Sequence, residues 1–179
     1  MKKRFLLILL LALFLVCGCS LGDSPSAKVE ELLKKYNNND DVVKTELGDY
    51  LNTLALDELN RSDYQDVYLR QYSDLAYEIK DERIDGENAI VTVQVTVYDY
   101  YTAENTISNY IATNQTEFYD ETGVYNSANA FNYRVNELKK VNDKIDYTLD
   151  FTLTKVNDEW SMDPLTNEML EKIHGTYAH

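Results

Sequence analysis

The spacing of apolar positions divides the chain into blocks of different period. An unbroken apolar run from Phe5 to Val16 comes first, directly behind Lys2-Lys3-Arg4. From Ser24 the period becomes helical. Val29, Leu32, Leu33 and Tyr36 mark one face, with Ser24 as the cap and Pro25 at the first helical position. Asn37-Asn38-Asn39 breaks this helix. A second, from about Asp40 to near Asp57, carries Val43, Leu47, Tyr50, Leu51 and Leu54. A third opens on a capping box, Ser62 with Gln65, and carries Tyr64, Val67, Tyr68, Tyr72 and Leu75.

The period then falls to two. Tyr77 and Ile79 alternate with Glu78 and Lys80, Asp85-Gly86 supplies a hairpin turn, and the return strand sets Val91, Val93, Val95 and Val97 against Thr92, Gln94 and Thr96. Behind its end, Tyr98-Asp99-Tyr100-Tyr101, a helix is predicted from about Thr102 through Ile107 and Ile111. The stretch from Thr113 to Asn126 has no period, and its length marks it as a functional or mobile loop. Ala128, Phe131, Val135 and Leu138 then stripe another helix. A second hairpin alternates Ile145, Tyr147, Leu149, Phe151 and Leu153 with Asp146, Thr148, Asp150, Thr152 and Thr154, turns at Asn157-Asp158, and returns through Trp160 and Met162. Asp163-Pro164 starts a last helix with Leu165, Met169, Leu170 and Ile173, and Gly175 ends it. Helices first, then two long antiparallel hairpins separated by helical matter, predict an α+β domain with the helices packed on one face of a curved sheet.

The opening of the chain changes this picture by giving it an address. The basic start and apolar run have the form of a secretory signal, and the run, about twelve residues against the roughly twenty of a membrane span, is too short to cross a bilayer. Its end, Leu15-Val16-Cys17-Gly18-Cys19, closely resembles the lipobox of bacterial lipoproteins. That resemblance implies cleavage before Cys19 and lipid on Cys19; Cys17 does not fit, because Leu15 and Val16 would then occupy the small-residue positions. Residues 1–18 are thus expected to be a signal peptide, 19–24 a tether spanning about 20 Å, and 25–179 a single domain. The mature chain would lie at the outer face of the cell membrane, lipid-anchored, with no cysteine left for thiol chemistry or disulfides.

Charge excludes some partners. The chain has 17 basic and 31 acidic residues; removing Lys2, Lys3 and Arg4 leaves 14 against 31, a net charge of −17. Such a domain repels nucleic acid and an anionic bilayer surface alike, so only the lipid on Cys19 would hold it to a membrane. With 15 tyrosines, 6 glycines and 2 prolines, it is not a disordered chain.

Three segments resemble a family of small, uncharacterised lipoproteins of Gram-positive bacteria. They are Ala27-Lys28-Val29-Glu30-Glu31-Leu32-Leu33-Lys34-Lys35-Tyr36, then Val95-Thr96-Val97-Tyr98-Asp99-Tyr100-Tyr101, and the close from Tyr147 through Trp160 to Tyr177. The family brings no activity with it. More loosely, the order of elements looks like the cystatin-like and NTF2-like cone-shaped folds, which host enzymes and binding modules alike.

Candidate chemistry is sparse. Of the two histidines, His179 is the last residue and is expected to fray, while His174 falls in the last turn of the final helix, where a cation complements the helix dipole. Asp81, Arg83, Asp85 and Gly86 imitate the start of a calcium loop, but Arg83 occupies a ligand position and Thr92 stands where a bidentate glutamate belongs. No metal or cofactor site follows. Asp99, with Tyr98, Tyr100 and Tyr101, is the one catalytic candidate. On a regular strand it shares the face of Val91 to Val97, where burial would raise its pKa and suit it to acid–base work; if the strand ends there, it caps the next helix instead. No second catalytic partner can be named. The tyrosines read chiefly as core and rim, with several available to line a pocket. The resulting expectation is a non-catalytic, membrane-anchored domain that binds a small ligand or an envelope protein. The alternative is a small cofactor-free enzyme with an Asp/Tyr pocket. A third possibility, partner binding through the open sheet face, requires an apolar or tyrosine-rich patch there.

Overall fold

A computed structural model of the chain describes residues 23–54, 56 and 58–179; the expected signal peptide, Cys17 and Cys19 lie outside the described residues. The fold is α+β, with three helices ahead of a four-stranded antiparallel open sheet, two more inserted in it and one behind it. Helix α1 (Pro25–Asn37) begins where Ser24 Oγ accepts the Ala27 N–H at 3.1 Å. It buries Val29, Leu33 and Tyr36. The breaking asparagines serve a further purpose. Asn37 Nδ2 donates to the Tyr72 and Leu75 carbonyls, and Asn39, at φ 49°, donates to the Leu69 carbonyl and the Ser73 hydroxyl. The turn is thereby fastened to α3 (Glu58–Ser73). Between them runs α2 (Asp41–Thr53), capped by Asp40 and buried along Val43, Leu47 and Leu51.

Helix α3 starts at Glu58, ahead of the expected capping box at Ser62 and Gln65. Ser62 is an exposed position inside the helix, where a serine costs little, so a box-like spacing does not by itself mark a start. The sheet follows as β1 (Ala76–Asp85), β2 (Asn88–Tyr98), β3 (Lys144–Val156) and β4 (Glu159–Met162), in that spatial order. The β1–β2 turn uses Gly86 at φ 61°, and the β3–β4 turn holds Asn157 and Asp158 at φ 52° and 67°, the left-handed values that two-residue hairpin turns need. The register of β1 shifts between Ile79 and Asp81, a bulge. Only one arm of the second hairpin is long, since β4 has four residues against thirteen in β3.

Central pairing joins β2 to β3, with Val91, Val93 and Val95 opposite Phe151, Leu149 and Tyr147. All four expected valines, Val91 to Val97, are fully buried, and α1, α2, α3 and the last helix, α6 (Asn167–His174), close over them to form the main core. The opposite face is polar. Thr92 donates to Asp150, and Gln94 and Thr96 both donate to Asp146, each at 2.6 Å. An apolar or tyrosine-rich docking patch is therefore not what β2 and β3 present to solvent.

The long connection from β2 to β3 contains α4 (Tyr100–Thr113) and α5 (Ser127–Leu138), which pack together through Ile107, Val135 and Leu138. Between them, residues 113–126 are organised by turns rather than by a repeat. A 3-10 turn (Gln115–Phe118) buries Phe118, Tyr119 bridges to Tyr125, and Asp120 Oδ1 accepts from the Thr122 and Val124 N–H groups and the Thr122 hydroxyl. Short-range polar contacts leave no hydrophobic period to read. The last helix also begins later than Asp163-Pro164. Thr166 caps it, while Asp163 is held against β3 by the Thr152 hydroxyl at 2.8 Å and the Thr152 carbonyl at 3.0 Å. Gly175 ends the helix at φ 73° and lies so close to β2 that an added Cβ would sit 2.0 Å from the Tyr98 carbonyl oxygen.

Candidate functional site

Strand β2 stops one residue before Asp99. Its backbone N–H donates to the Asp143 carbonyl at 3.0 Å, its φ of −79° and ψ of 73° turn the chain, and its Oδ1 accepts the Thr102 N–H at 2.9 Å. Asp99 thus caps α4, which begins two residues before the expected Thr102. The three tyrosines beside it diverge. Tyr98 lies under the Arg70 guanidinium at 4.0 Å and donates its hydroxyl to Asp74 at 2.6 Å. Tyr100 donates to the Val67 carbonyl, and burial pushes its hydroxyl up to about 12. Tyr101 packs on His179, with ring centres 5.4 Å apart. Asp99 does border a cavity of about 440 Å³ with Thr102, Thr106, Lys140 and Asn142, but none of Tyr98, Tyr100 and Tyr101 lines it.

His179, expected to fray, is placed against the domain. Its ring meets both Tyr101 and Tyr147, and its Nε2 lies 3.7 Å from Asp99 Oδ2. The calcium-like run is an exposed part of the β1 edge in which Asp81 pairs with Arg83 at 3.0 Å. Among the described residues, no group of three or more His, Cys, Asp or Glu side chains is placed to hold a metal ion.

The strongest concentration of buried polar chemistry is elsewhere, under α6. Tyr64, Tyr68 and Tyr72 follow one another at four-residue intervals on α3, so one stripe of the helix is aromatic. Tyr36 meets Tyr72 edge to face at 5.0 Å, and Tyr50 meets Tyr68 likewise at 5.8 Å. Into this cluster α6 inserts His174, which lies 4.8, 5.1 and 5.8 Å from the rings of Tyr50, Tyr68 and Tyr72. Its Nε2 shares a 2.8 Å hydrogen bond with the Tyr72 hydroxyl.

His174 is 4 % exposed, and desolvation lowers its pKa to about 4. The expected cation at the helix end is therefore a neutral imidazole. Two effects compete here, and their sizes decide the outcome: a helix terminus gives a cation about 0.3–1 kcal/mol, whereas a shift of this size corresponds to about 3 kcal/mol against the charged form. Burial also pushes the hydroxyls of Tyr36, Tyr68 and Tyr72 above the ordinary tyrosine range, with the charge of Glu46 adding to the effect at Tyr36 and Tyr72. His174, Tyr36, Tyr68 and Tyr72 are therefore uncharged near neutral pH.

Beside it lies a cavity of about 400 Å³, bordered by α1, α2, α6 and the segment after β4. Leu32, Leu47 and Leu165 supply apolar wall, Tyr50, Tyr72 and His174 supply the aromatic end, and Glu46 and Asp163 supply carboxylates. Such a volume with apolar walls and a few converging polar groups is the form of a small-molecule site. The aromatic stripe on α3 was readable in the sequence; its meeting with His174 was not, because 102 residues separate Tyr72 from His174.

No match is found among protein-family models or among curated proteins. Among solved structures, the chain is similar to a Bacillus subtilis protein, YcdA, assigned as a lipoprotein, with a TM-score of 0.47 and 15% sequence identity. The likeness covers 88% of this chain and 51% of that one, so this chain spans about half the length of YcdA.

Proposed function

We propose that this protein is a lipid-anchored, extracytoplasmic, non-catalytic domain that binds a small molecule in the cavity between α1, α2 and α6. The observation that carries the ligand reading is that cavity, about 400 Å³ with an aromatic end built from Tyr50, Tyr72 and a neutral His174. Anchoring is supported by the Leu15 to Cys19 segment. Among the described residues, no helix is long and apolar enough to cross a membrane. Against catalysis by Asp99 stands its engagement as the cap of α4, away from the hydroxyls of Tyr98 and Tyr100.

Two measurements test this reading. Metabolic labelling with palmitate marks the wild-type chain and not Cys19→Ala; equal labelling, or none in either, refutes the anchor. Small molecules extracted from protein isolated out of its own membranes are compared with those from Leu165→Trp, in which an indole fills the cavity. A compound carried near one per chain by the wild type and lost in the folded variant supports the ligand reading, and its absence from both overturns it.

A further inference from the structure

We propose that the ligand of this cavity is an organic cation, an ammonium group carried on an apolar body; the inference rests on the ligand-binding reading above and names the chemistry of what binds. The wall carries two carboxylates, Glu46 and Asp163, and neither a lysine nor an arginine. Its one histidine is the buried, uncharged His174. A ligand entering here meets negative potential with no compensating cation.

Glu46 is central to the argument. It stands on α2 one turn before Tyr50, and among the described residues it enters no ion pair, while its helix neighbour Lys44 lies 3.9 Å from Asp41. Glu46 and Asp163 are both exposed residues of the cavity wall, and the charge of Glu46 reaches inward to the hydroxyls of Tyr36 and Tyr72. Asp163 accepts the Thr152 hydroxyl through Oδ2, which fixes the second carboxylate at the β4 side of the same cavity. Tyrosine faces attract cations through their ring quadrupoles, and a carboxylate beside them adds a direct Coulomb partner. An anionic ligand would meet the opposite of each of these terms. The apolar part of the ligand is required by Leu32, Leu165 and Leu170, half-buried residues of the wall that would otherwise face water.

The chain offers its own reporter, because it has only two histidines: His174 lines the cavity, and His179 packs elsewhere on Tyr101 and Tyr147. Full-length protein labelled with 13C at the histidine Cε1, held in nanodiscs of zwitterionic lipid, is titrated at pH 7 with three probes that share one apolar body. They are 3-phenylpropylammonium, 3-phenyl-1-propanol and 3-phenylpropionate. The expected result is a saturable shift of the His174 signal with little change at His179, the ammonium binding about tenfold more tightly than the alcohol and the carboxylate weakest. Glu46→Gln should bring ammonium and alcohol to within about twofold of each other. Equal binding of all three at His174 leaves the pocket standing and overturns the cation. So does a preference for the carboxylate, or an ammonium preference that survives Glu46→Gln and disappears in 0.3 M salt on the order of a general surface effect. If none of the probes moves His174, the ligand-binding reading fails with it.

Discussion

Acidification acts on His174 in a way that can be separated from the rest of the molecule. Folded, its pKa is about 4, against 6.5 for an ordinary histidine. Between these values the unfolded chain binds a proton at this position and the folded chain does not, so falling pH favours unfolding. Stability from this group is complete above about pH 6.5, is lost as pH falls towards 4, and amounts to about 3 kcal/mol in all, of which about 2 kcal/mol is gone by pH 5. The assay is urea unfolding at a series of pH values, followed by the fluorescence of Trp160, the single tryptophan and a core residue. The matching variant is His174→Phe, which keeps a ring among Tyr50, Tyr68 and Tyr72 but cannot titrate. It leaves the Tyr72 hydroxyl without its partner, an offset of about 1–3 kcal/mol that does not depend on pH in this range. All other groups are common to both proteins and cancel. The wild type is expected to lose about 2 kcal/mol relative to the variant between pH 7 and pH 5. Parallel profiles for the two proteins would refute the buried, neutral imidazole.

Two other substitutions probe the surrounding structure. Gly175→Ala places a Cβ 2.0 Å from the Tyr98 carbonyl oxygen at a residue with φ 73°, so it should cost more than about 2 kcal/mol, read as a drop in Tm of several degrees or failure to fold; a Tm within a degree of wild type would show that α6 does not press on β2. Asp99→Ala removes the α4 cap and should cost about 1 kcal/mol, whereas Asp99→Asn keeps an accepting oxygen and should cost only a few tenths. Equal losses in the urea midpoints of these two variants would show that the charge of Asp99, not its cap, is what the fold uses.

Much of the fold was legible because it depends on one-dimensional patterns. Ser24-Pro25, the valines of β2 and the alternation of β3 each name an element and its buried face, and all three appear in the structure as read. Where the sequence misled, two local solutions competed. Ser62 and Gln65 can form a capping box or sit inside a helix, and Asp163-Pro164 can start a helix or finish a strand; Thr152, contributed by β3, settles the second. His174 shows a different limit. Its position near a helix end was readable, but its charge depends on whether Tyr50, Tyr68 and Tyr72 close over it, a fact of tertiary packing. The cavity likewise takes its wall from segments between Leu32 and His174, so no window of sequence contains it.

The arrival of α6 last in the chain has a consequence for how the molecule comes to be made. Ile173 is fully buried over the sheet, His174 fills the tyrosine cluster, and the Gly175 carbonyl takes the Tyr101 N–H at 2.8 Å. A chain emerging N-terminus first has its central strands complete while the piece that covers them is still to come. Until residues 167–175 are free, the valine-rich face of β2 and β3 is covered by α1, α2 and α3 alone, and the tyrosines of α3 have no imidazole to close on. Folding to the native state thus waits on α6, and the part of the sheet that α6 covers is exposed for the same interval.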